Sequence, residues 1–199
     1  NDFIYSVLTY FISKRADKAY SCADELVAVS QEYLDRGMRS NKRSKHPLVV
    51  YLGATLSKFF SGVDEYSNKI NKNDNEFWVI YTGTLGSSYD LTTILAAAKQ
   101  IKEKGISNIR FMILGQGPDS EMLVQYAEKA NLTNVSFLGF KPYGEMAAYL
   151  CKSNVCVNAV KKNASQSIIN KVADYLAAGI PMLNSCTCKE QLEMIDNYK

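Results

Sequence analysis

Residues 77–105, FWVIYTGTLGSSYDLTTILAAAKQIKEKG, carry the clearest structural pattern in the chain. The first part is a continuous apolar run, rich in β-branched and aromatic residues, that ends at Gly83 and Gly86. From Leu91 the apolar residues recur at helical spacing, and this second part ends at Gly105. The stretch therefore predicts one buried strand followed by one helix.

The same alternation continues to the C-terminal part of the chain. Further strands are predicted at IRFMILGQGP (109–118), NVSFLGF (134–140), NVCVNAV (154–160) and IPMLNS (180–185), and further helices at SEMLVQYAEKA (120–130), YGEMAAYLCKS (143–153) and within 165–179. Short strands that alternate with helices indicate βαβ units and a parallel sheet. Because the strands are apolar throughout, helices should cover both faces. The predicted fold class is α/β, a Rossmann-like parallel sheet with helices on both faces.

The N-terminal part of the chain has a different organisation. Residues 3–20 predict a helix, and ELVAVS (25–30) and PLVVYLG (47–53) predict two strands, too few to close a sheet. Residues 54–76 are polar and rich in Ser, Asn and Lys, which predicts a linker or surface loop. The chain begins at Asn1 rather than Met, which indicates a fragment. The predicted boundaries are 1–53 for the end portion of an N-terminal α/β domain, 54–76 for an interdomain linker or loop, and 77–199 for a second α/β domain.

Composition excludes several classes of function. The net charge of +3 on 199 residues is too small to indicate a nucleic-acid surface. No apolar run approaches the roughly 20 residues that span a bilayer. The 5 cysteines are odd in number and irregularly spaced, which argues against a disulfide framework and for a reducing compartment. Cys186 and Cys188 form the only close pair and His46 is the single histidine, so we expect no metal site.

The stretch SQSIINKVADYLAAGIPMLNS (165–185) combines an apolar helix with two charges, Lys171 and Asp174, one turn apart. On a helical wheel Val172 and Leu176 share a broad apolar face that should pack on the sheet. Lys171 and Asp174 fall in a narrow stripe on the opposite side and should project from one edge. One interpretation is a solvated ion pair between positions i and i+3, worth roughly a few tenths of a kcal/mol.

The other interpretation of Lys171 and Asp174 is a ligand site. In open parallel sheets, ligands bind beyond the carboxyl ends of the strands, and this helix should begin at that edge. Backbone N–H groups and the helix dipole suit a phosphate there, Lys171 adds a positive charge, and Asp174 can accept two hydrogen bonds from a diol such as a ribose. Glycines in YTGTLG (81–86) and LGQGP (114–118) should lie at the same edge, although the dinucleotide fingerprint G-x-G-x-x-G is absent.

Six motifs, in order along the chain, resemble those of the group-1 (family 4) glycosyltransferases, whose GT-B fold contains two Rossmann-like domains. They are CADELVAVSQ (22–31), VVYLGA (49–54), YTGTLG (81–86), ILGQGP (113–118), NVSFLGF (134–140) and ADYLAAGIP (173–181). The last is the most specific, because it resembles the family's acidic-residue helix ending in A-x-G-x-P. The resemblance implies that 77–199 is mainly the C-terminal domain that binds the nucleotide-sugar donor, and that 1–53 ends the acceptor-side domain.

The resemblance also implies roles for individual residues of the 165–185 stretch. The family has two glutamates separated by seven residues, and the second falls on Asp174, which would bind the ribose hydroxyls of the donor. The first falls on Gln166, a candidate catalytic residue that could hydrogen-bond the sugar but cannot hold a charge. The segment whose backbone amides cradle the diphosphate corresponds to Ser167, Ile168, Ile169 and Asn170.

The loop after the first strand departs from the family pattern. The family usually has an arginine and a lysine that bind the diphosphate, but the corresponding positions here are Thr84 and roughly Tyr89, neither of which is cationic. Our hypothesis is that Lys171, the second candidate catalytic residue, supplies the missing charge, with Lys161 or Lys162 as further candidates. The remaining donor-binding candidates are Gly83, Thr84, Leu85 and Gly86 at the first strand end, and Phe140 and Lys141 at a corner that either holds the base or is a simple loop.

The function implied by the resemblance is that of a retaining glycosyltransferase. It would move a hexosyl unit from a nucleotide-diphosphate sugar of UDP or GDP type to the hydroxyl of a glycan or lipid-linked acceptor, in glycan or polysaccharide biosynthesis. We expect no metal, no cofactor and no nucleic-acid partner. The expected location is cytoplasmic. Peripheral contact with the inner face of the membrane, made through the missing N-terminal region, is left open as a further possibility. A fragment without the acceptor-binding half should bind nucleotide without turnover.

Three alternatives to a transferase are left open by the sequence. A non-catalytic nucleotide-sugar binding module is favoured by Gln166 and by the absent cationic clamp. A nucleotide-sugar epimerase of the same GT-B fold would act without an acceptor. An unrelated Rossmann-type scaffold or interaction domain would bind neither UDP nor GDP.

Overall fold

The structure of this chain is a computed structural model that describes residues 2–162, 164 and 170–197. The chain divides into two compact units, one formed by Asn1–Leu52 with Cys188–Lys199 and the other by Gly53–Thr187. Within the described residues, no helix combines the length and the apolar character that crossing a bilayer requires.

The smaller unit begins with the helix and two strands that the sequence predicts. Its N-terminal elements are α1 (Asp2–Cys22), β1 (Val27–Ala28), α2 (Gln31–Met38) and β2 (Leu48–Val49). The strands pair in parallel but are only two residues long, much shorter than the predicted runs. The side chain of Ser30 caps α2 by accepting a hydrogen bond from the backbone N–H of Tyr33.

The larger unit contains a five-stranded sheet in the order β5-β4-β3-β6-β7, and every pairing in it is parallel. The strands are β3 (Phe77–Thr82), β4 (Ile109–Leu114), β5 (Val135–Gly139), β6 (Val155–Asn158) and β7 (Met182–Asn184). The helices are α3 (Leu56–Tyr66), α4 (Leu91–Glu103), α5 (Ser120–Lys129), α6 (Tyr143–Lys152) and α7 (Lys171–Ala178), with a short 3-10 helix at Ser67–Lys69. The predicted α/β, Rossmann-like parallel sheet is therefore confirmed.

Consecutive residues of β3 reach two separate hydrophobic cores, one on each face of the sheet. Val79 and Tyr81 belong to the core that includes residues of α4 and α5. Trp78 and Ile80 belong to the core that includes residues of α3, α6 and α7. Because helices cover both faces, the central strand has to be apolar at every position, which explains the continuous apolar run in the sequence.

Helix α3 occupies most of the segment 54–76, for which the sequence predicts a linker or loop. Phe59 of this helix is fully buried, and Val63 and Tyr66 pack against the same core at helical spacing. The prediction of a linker or loop is therefore wrong for Leu56–Tyr66. The linker was predicted from the polar composition of the segment, which is rich in exposed Ser, Asn and Lys. The helical spacing of Phe59, Val63 and Tyr66 was the signal that indicated a buried helix.

A last helix, α8 (Lys189–Asn197), was not predicted, and it belongs to the smaller unit rather than to the predicted domain 77–199. The carboxylate of Glu190 accepts hydrogen bonds from the backbone N–H of Gln31 at 2.9 and 3.0 Å. It also accepts one from the hydroxyl of Tyr51 at 2.9 Å. These contacts join residues more than a hundred positions apart, so local sequence patterns do not indicate them.

Replacing Gly62 by alanine should destabilise the larger unit. A Cβ at this position of α3 would overlap the Cα of Gly144 in α6. Alanine gains about 1 kcal/mol of helix propensity over glycine, but overpacking a backbone contact costs about 1–3 kcal/mol or more. We expect the overlap to dominate and the midpoint of urea unfolding, followed by the fluorescence of the single tryptophan, Trp78, to fall.

The matched control for this substitution is Gly53→Ala. A Cβ at Gly53 would meet no atom within 4 Å, so the unfolding midpoint should stay close to that of the wild type. Equal midpoints for the two variants would contradict a tight contact between α3 and α6.

Candidate functional site

A cavity of about 540 Å³ opens at the carboxyl edge of the sheet in the larger unit. Three loops that follow β3, β4 and β5 contribute to it, together with the first turns of α6 and α7. The lining residues are Thr82, Gly83, Thr84, Leu114, Gly115, Gln116, Phe140, Lys141, Tyr143, Met146, Lys171 and Asp174. The cavity therefore lies where the topology of an open parallel sheet predicts a ligand.

The strand order creates a crevice between β3 and β6. From β3 the chain proceeds to β4 and β5 on one side, and it then returns to β6 and β7 on the other. The last pair that joins the two strands is Ile80 with Cys156. Beyond it the hydroxyl of Tyr175, from α7, accepts a hydrogen bond from the N–H of Thr82 at 3.1 Å and donates one to the carbonyl of Val157 at 3.3 Å. The hydroxyl of Tyr175 thus takes the place of the backbone hydrogen bonds between the two strands, and it fixes α7 beside the crevice.

Helix α7 is rotated relative to the predicted wheel. Its buried residues are Lys171, Val172 and Tyr175, and Lys171 is only 8% exposed. Leu176, which was assigned to the apolar face, is 63% exposed. The prediction that Lys171 projects from an exposed edge was therefore wrong, and the ion pairs among the described residues do not include one between Lys171 and Asp174.

The amine of Lys171 is enclosed by two tyrosine rings. Its Nζ lies 4.1 Å from the ring centroid of Tyr81 and 3.9 Å from that of Tyr89, which is cation–π geometry. The Tyr81 ring is fixed in turn, because its hydroxyl donates to the carbonyl of Thr84 at 2.8 Å. A Cβ on Gly83 would lie 2.8 Å from the Nζ, so the amine also abuts the end of β3.

The charged form of Lys171 is compensated only in part in this position, by the faces of the two rings. Among the described residues, none forms a hydrogen bond with the Nζ. Burial lowers the pKa of Lys171 to about 7, because the charged form loses its hydration. The side chain lines the cavity while its amine is held between the rings, so contact with a bound anion requires the flexible stem to carry the amine outward.

Asp174 is held by a neighbouring tyrosine. The hydroxyl of Tyr143 donates a hydrogen bond to Oδ1 of Asp174 at 2.8 Å, and no other described residue donates to this carboxylate. Burial raises the pKa of Asp174, and the hydrogen bond from Tyr143 opposes that increase. Burial, followed by the same hydrogen bond, raises the pKa of Tyr143 to about 12.

The structure brings six of the predicted site residues into one cavity. They are Gly83, Thr84, Phe140, Lys141, Lys171 and Asp174. Leu85 is instead buried in the core, Gly86 packs near Pro118, and Asn170 is exposed outside the cavity lining. The predicted residues Gln166, Ser167, Ile168 and Ile169 lie outside the described residues.

Residues that were not among the predicted site residues also shape the site. Tyr81 and Tyr89 enclose the amine of Lys171, Tyr143 binds Asp174, and Gln116 lines the cavity. Tyr143 begins a helix directly after Pro142 at the predicted ligand edge, which was the available signal. Groups of three or more His, Cys, Asp or Glu side chains that could hold a metal ion do not occur among the described residues.

Comparison with known proteins gives a family match and one distant curated relative. The family model described as "Glycosyl transferases group 1" matches residues 62–199. The Escherichia coli (strain K12) protein WcaI, which is named for glycosyl transfer in colanic acid biosynthesis, is 20% identical over 161 residues. That alignment covers 78% of this chain and 39% of WcaI.

Several solved structures share the fold at low sequence identity. Alr3699/HepE of Anabaena in complex with UDP and glucose is 16% identical with a TM-score of 0.70, over 92% of this chain and 50% of HepE. WaaG, a glycosyltransferase involved in lipopolysaccharide biosynthesis, is 14% identical with a TM-score of 0.65, over 87% of this chain and 47% of WaaG. Sucrose-phosphate synthase of Thermosynechococcus elongatus is 20% identical with a TM-score of 0.63, over 90% of this chain and 45% of the synthase. The chain spans half or less of the length of these relatives.

Proposed function

Because this chain belongs to the group 1 glycosyltransferases, we propose that its larger unit binds the diphosphate and ribose of a nucleotide sugar in the cavity at the sheet edge. The observation that carries the proposal is that this one cavity is lined by both a lysine and a carboxylate, Lys171 and Asp174, one helical turn apart. Their spacing suits a ligand with adjacent anionic and diol groups.

In this proposal Lys171 binds the diphosphate. The amine has no hydrogen-bond partner among the described residues, so moving it out from between the rings breaks no such bond. A phosphate oxygen would supply the counter-charge and restore the ordinary preference of the amine for its protonated form. Lys171 is also the first residue of α7, where the helix dipole adds positive potential.

Asp174 in this proposal accepts hydrogen bonds from the ribose hydroxyls, and the corner at Phe140 and Lys141 holds the base. Phe140 is 68% exposed, so its ring is available to a planar ligand. The Nζ of Lys141 is paired with Glu145 at 2.8 Å, so this corner presents little free charge to an uncharged base. The solved complexes of HepE with UDP and with UDP-glucose make UDP the first nucleotide to test.

For the whole protein we propose transfer of a hexosyl unit to an acceptor hydroxyl, with retention at the anomeric carbon, in glycan or polysaccharide biosynthesis. The bond from the anomeric carbon to the acceptor oxygen forms as the bond to the diphosphate breaks. The leaving diphosphate takes the electron pair of the broken bond and accepts the proton of the acceptor hydroxyl, and protonated Lys171 stabilises the negative charge that develops on it. Contact of Gln166 with the sugar, the glycan or lipid-linked acceptor and peripheral membrane contact belong to the same proposal. No metal or cofactor forms part of it.

A second candidate is a nucleotide-sugar binding module that does not turn over. Gln166 favours it, because an amide stands where the family resemblance places a glutamate. An assay of the full-length protein with a nucleotide sugar and a mixed glycan acceptor separates the two, since the module would bind donor and release no nucleotide.

Substitution of Asp174 by asparagine tests the proposed ribose contact. We expect the affinity of the chain for UDP, measured by isothermal titration calorimetry, to fall about 5- to 20-fold, because the charged acceptor is lost. The affinity for inorganic pyrophosphate should stay unchanged, because pyrophosphate has no ribose.

The control for this variant is Asp64→Asn, which makes the same chemical change on the exposed side of α3. It should leave both affinities at the wild-type value. An equal loss of UDP and pyrophosphate in Asp174→Asn would remove the ribose assignment, and no saturable binding of UDP or GDP by the wild type would remove the proposed function as a whole.

A further inference from the structure

We propose that Tyr143 is a positioning residue that fixes the Asp174 carboxylate and leaves Oδ2 as the acceptor for a pentose hydroxyl. The proposal rests on the proposed function, because it assigns the orientation of the group that would bind the ribose. Tyr143 was not singled out by the sequence, and it reaches Asp174 from a different helix.

The contact itself restricts the carboxylate. Rotation of an aspartate about its terminal torsion is broad, so a free carboxylate samples many orientations. The hydrogen bond from the Tyr143 hydroxyl to Oδ1, at 2.8 Å, selects one of them. Because the acceptor is ionised, this bond is stronger than a neutral one. Oδ2 is left without a donor among the described residues and can accept from a ligand.

Tyr143 is held independently of Asp174. It is the first residue of α6 and follows Pro142. Its ring packs edge-to-face on Phe59 of α3, with centroids 6.2 Å apart and planes at 72°. Phe59 is fully buried, and the close approach of Gly62 to Gly144 keeps the two helices together. The ring therefore cannot follow a rotating carboxylate, and the carboxylate has to adapt to the hydroxyl.

The titratable groups around Asp174 predict how the pKa of its carboxyl group should respond to the loss of the Tyr143 hydroxyl. Tyr143 faces it from α6, and Lys171 of its own helix lines the same cavity. Lys141, from the loop before α6, is paired with Glu145. Among the described residues, only Tyr143 donates a hydrogen bond to the carboxylate, and this bond opposes the increase in the pKa of Asp174 caused by burial. Loss of the hydroxyl should therefore raise that pKa further.

The test is the variant Tyr143→Phe, which keeps the ring and its contact with Phe59. We expect the affinity for UDP to fall about 3- to 10-fold and the affinity for inorganic pyrophosphate to be unchanged. As the pH falls, UDP affinity should decline at a higher pH in this variant than in the wild type, because Asp174 takes up its proton earlier. A purely structural role for Tyr143 would not move that midpoint. Tyr126→Phe, on α5, serves as the matched control and should change nothing.

A double-mutant cycle with Asp174→Asn separates this proposal from the function on which it rests. If Tyr143 acts through the carboxylate, Tyr143→Phe should have no further effect on UDP affinity in the Asp174→Asn background. Additive losses, or an unshifted acid midpoint, would overturn the positioning role. If Tyr143→Phe binds UDP like the wild type while Asp174→Asn selectively loses it, the positioning role fails and the ribose site stands. If Asp174→Asn itself shows no selective loss, the ribose site fails.

Discussion

Replacing Lys171 by methionine will weaken the binding of UDP about 10- to 100-fold and leave the chain at least as stable as the wild type. Methionine matches the length of the lysine stem but removes the charge that would contact the diphosphate. The wild-type amine is buried and donates no hydrogen bond to a described residue, so its removal relieves a desolvation cost that the cation–π contacts with the two rings offset only in part. Calorimetric titration of the chain with UDP and with uridine measures the first effect, and urea unfolding measures the second.

Comparing UDP with uridine, and Lys171→Met with a second lysine variant, shows whether the loss of affinity arises from contact between Lys171 and the diphosphate. Uridine lacks the diphosphate, so its affinity should be the same in the wild type and in Lys171→Met. Lys104→Met removes an exposed lysine at the end of α4 and should change neither affinity. If Lys171→Met lost uridine and UDP by the same factor, the lysine would support the shape of the cavity rather than the diphosphate.

The difference in stability between the wild type and Lys171→Met should become smaller as the pH rises. The pKa of Lys171 is lowered from 10.5 to about 7 in the folded chain. Below about pH 7 both the folded and the unfolded chain hold the proton, so the penalty for burying the charge is fully present. Between about pH 7 and about pH 10.5 the unfolded chain binds more protons than the folded one, and stability rises with pH.

In Lys171→Met no proton at this position is coupled to folding, so this variant is the reference against which the pH dependence of the wild type is measured. Relative to it, the wild type should gain stability on the order of a few kcal/mol as the pH rises through the window. Urea unfolding at about pH 6 and about pH 9 samples enough of the change to measure its sign. A difference between the two proteins that did not change with pH would contradict the burial of a titrating amine.

The order of strands and helices in the larger unit could be predicted because each element is locally marked. The strand Phe77–Thr82 is apolar or aromatic up to its last residue, and the helix Leu91–Glu103 is rich in alanine and leucine and begins after the capping residue Asp90. Glycines and prolines separate such elements elsewhere. The helix at Leu56–Tyr66 was not predicted because its few buried residues lie among polar ones. The composition of this segment indicated a linker, whereas the spacing of its apolar residues indicates a helix.

The edge of the sheet at which ligands would bind could also be predicted, but the environment of Lys171 could not. Topology alone brings Gly83, Thr84 and Asp174 to that edge. The helical wheel placed Lys171 outside because its angular position is opposite the apolar face that Val172 and Leu176 were expected to form. Only the folded chain brings the rings of Tyr81 and Tyr89 around its amine, and no periodicity encodes contacts made across separate elements.

Replacing Gly115 by alanine should have the largest effect on stability of any substitution at the cavity, about 3–5 kcal/mol. Gly115 has a φ of 134°, a region that side chains with a Cβ rarely adopt. The added Cβ would also overlap the carbonyl oxygen of Gly83. Urea unfolding followed by the fluorescence of Trp78 measures the loss directly.

The backbone around Gly115 cannot relax without opening the sheet edge. The N–H of Gly83 donates to the carbonyl of Leu114 at 2.9 Å, and the N–H of Gly115 donates to the carbonyl of Gly139 at 2.8 Å. Moving either strand end breaks one of these bonds and shifts Gly83, which lines the cavity. Gly115→Ala molecules that still fold should therefore also bind UDP more weakly.

Gly105→Ala separates the two causes of this loss. Gly105 also has a positive φ, 72°, but a Cβ there would meet no atom within 4 Å. Its replacement should cost only the backbone term, about 1–2 kcal/mol, and should leave UDP affinity unchanged. If Gly115→Ala and Gly105→Ala lost the same stability, the overlap with Gly83 would contribute nothing to the loss. The ends of β3 and β4 would then be less tightly joined than their hydrogen bonds indicate.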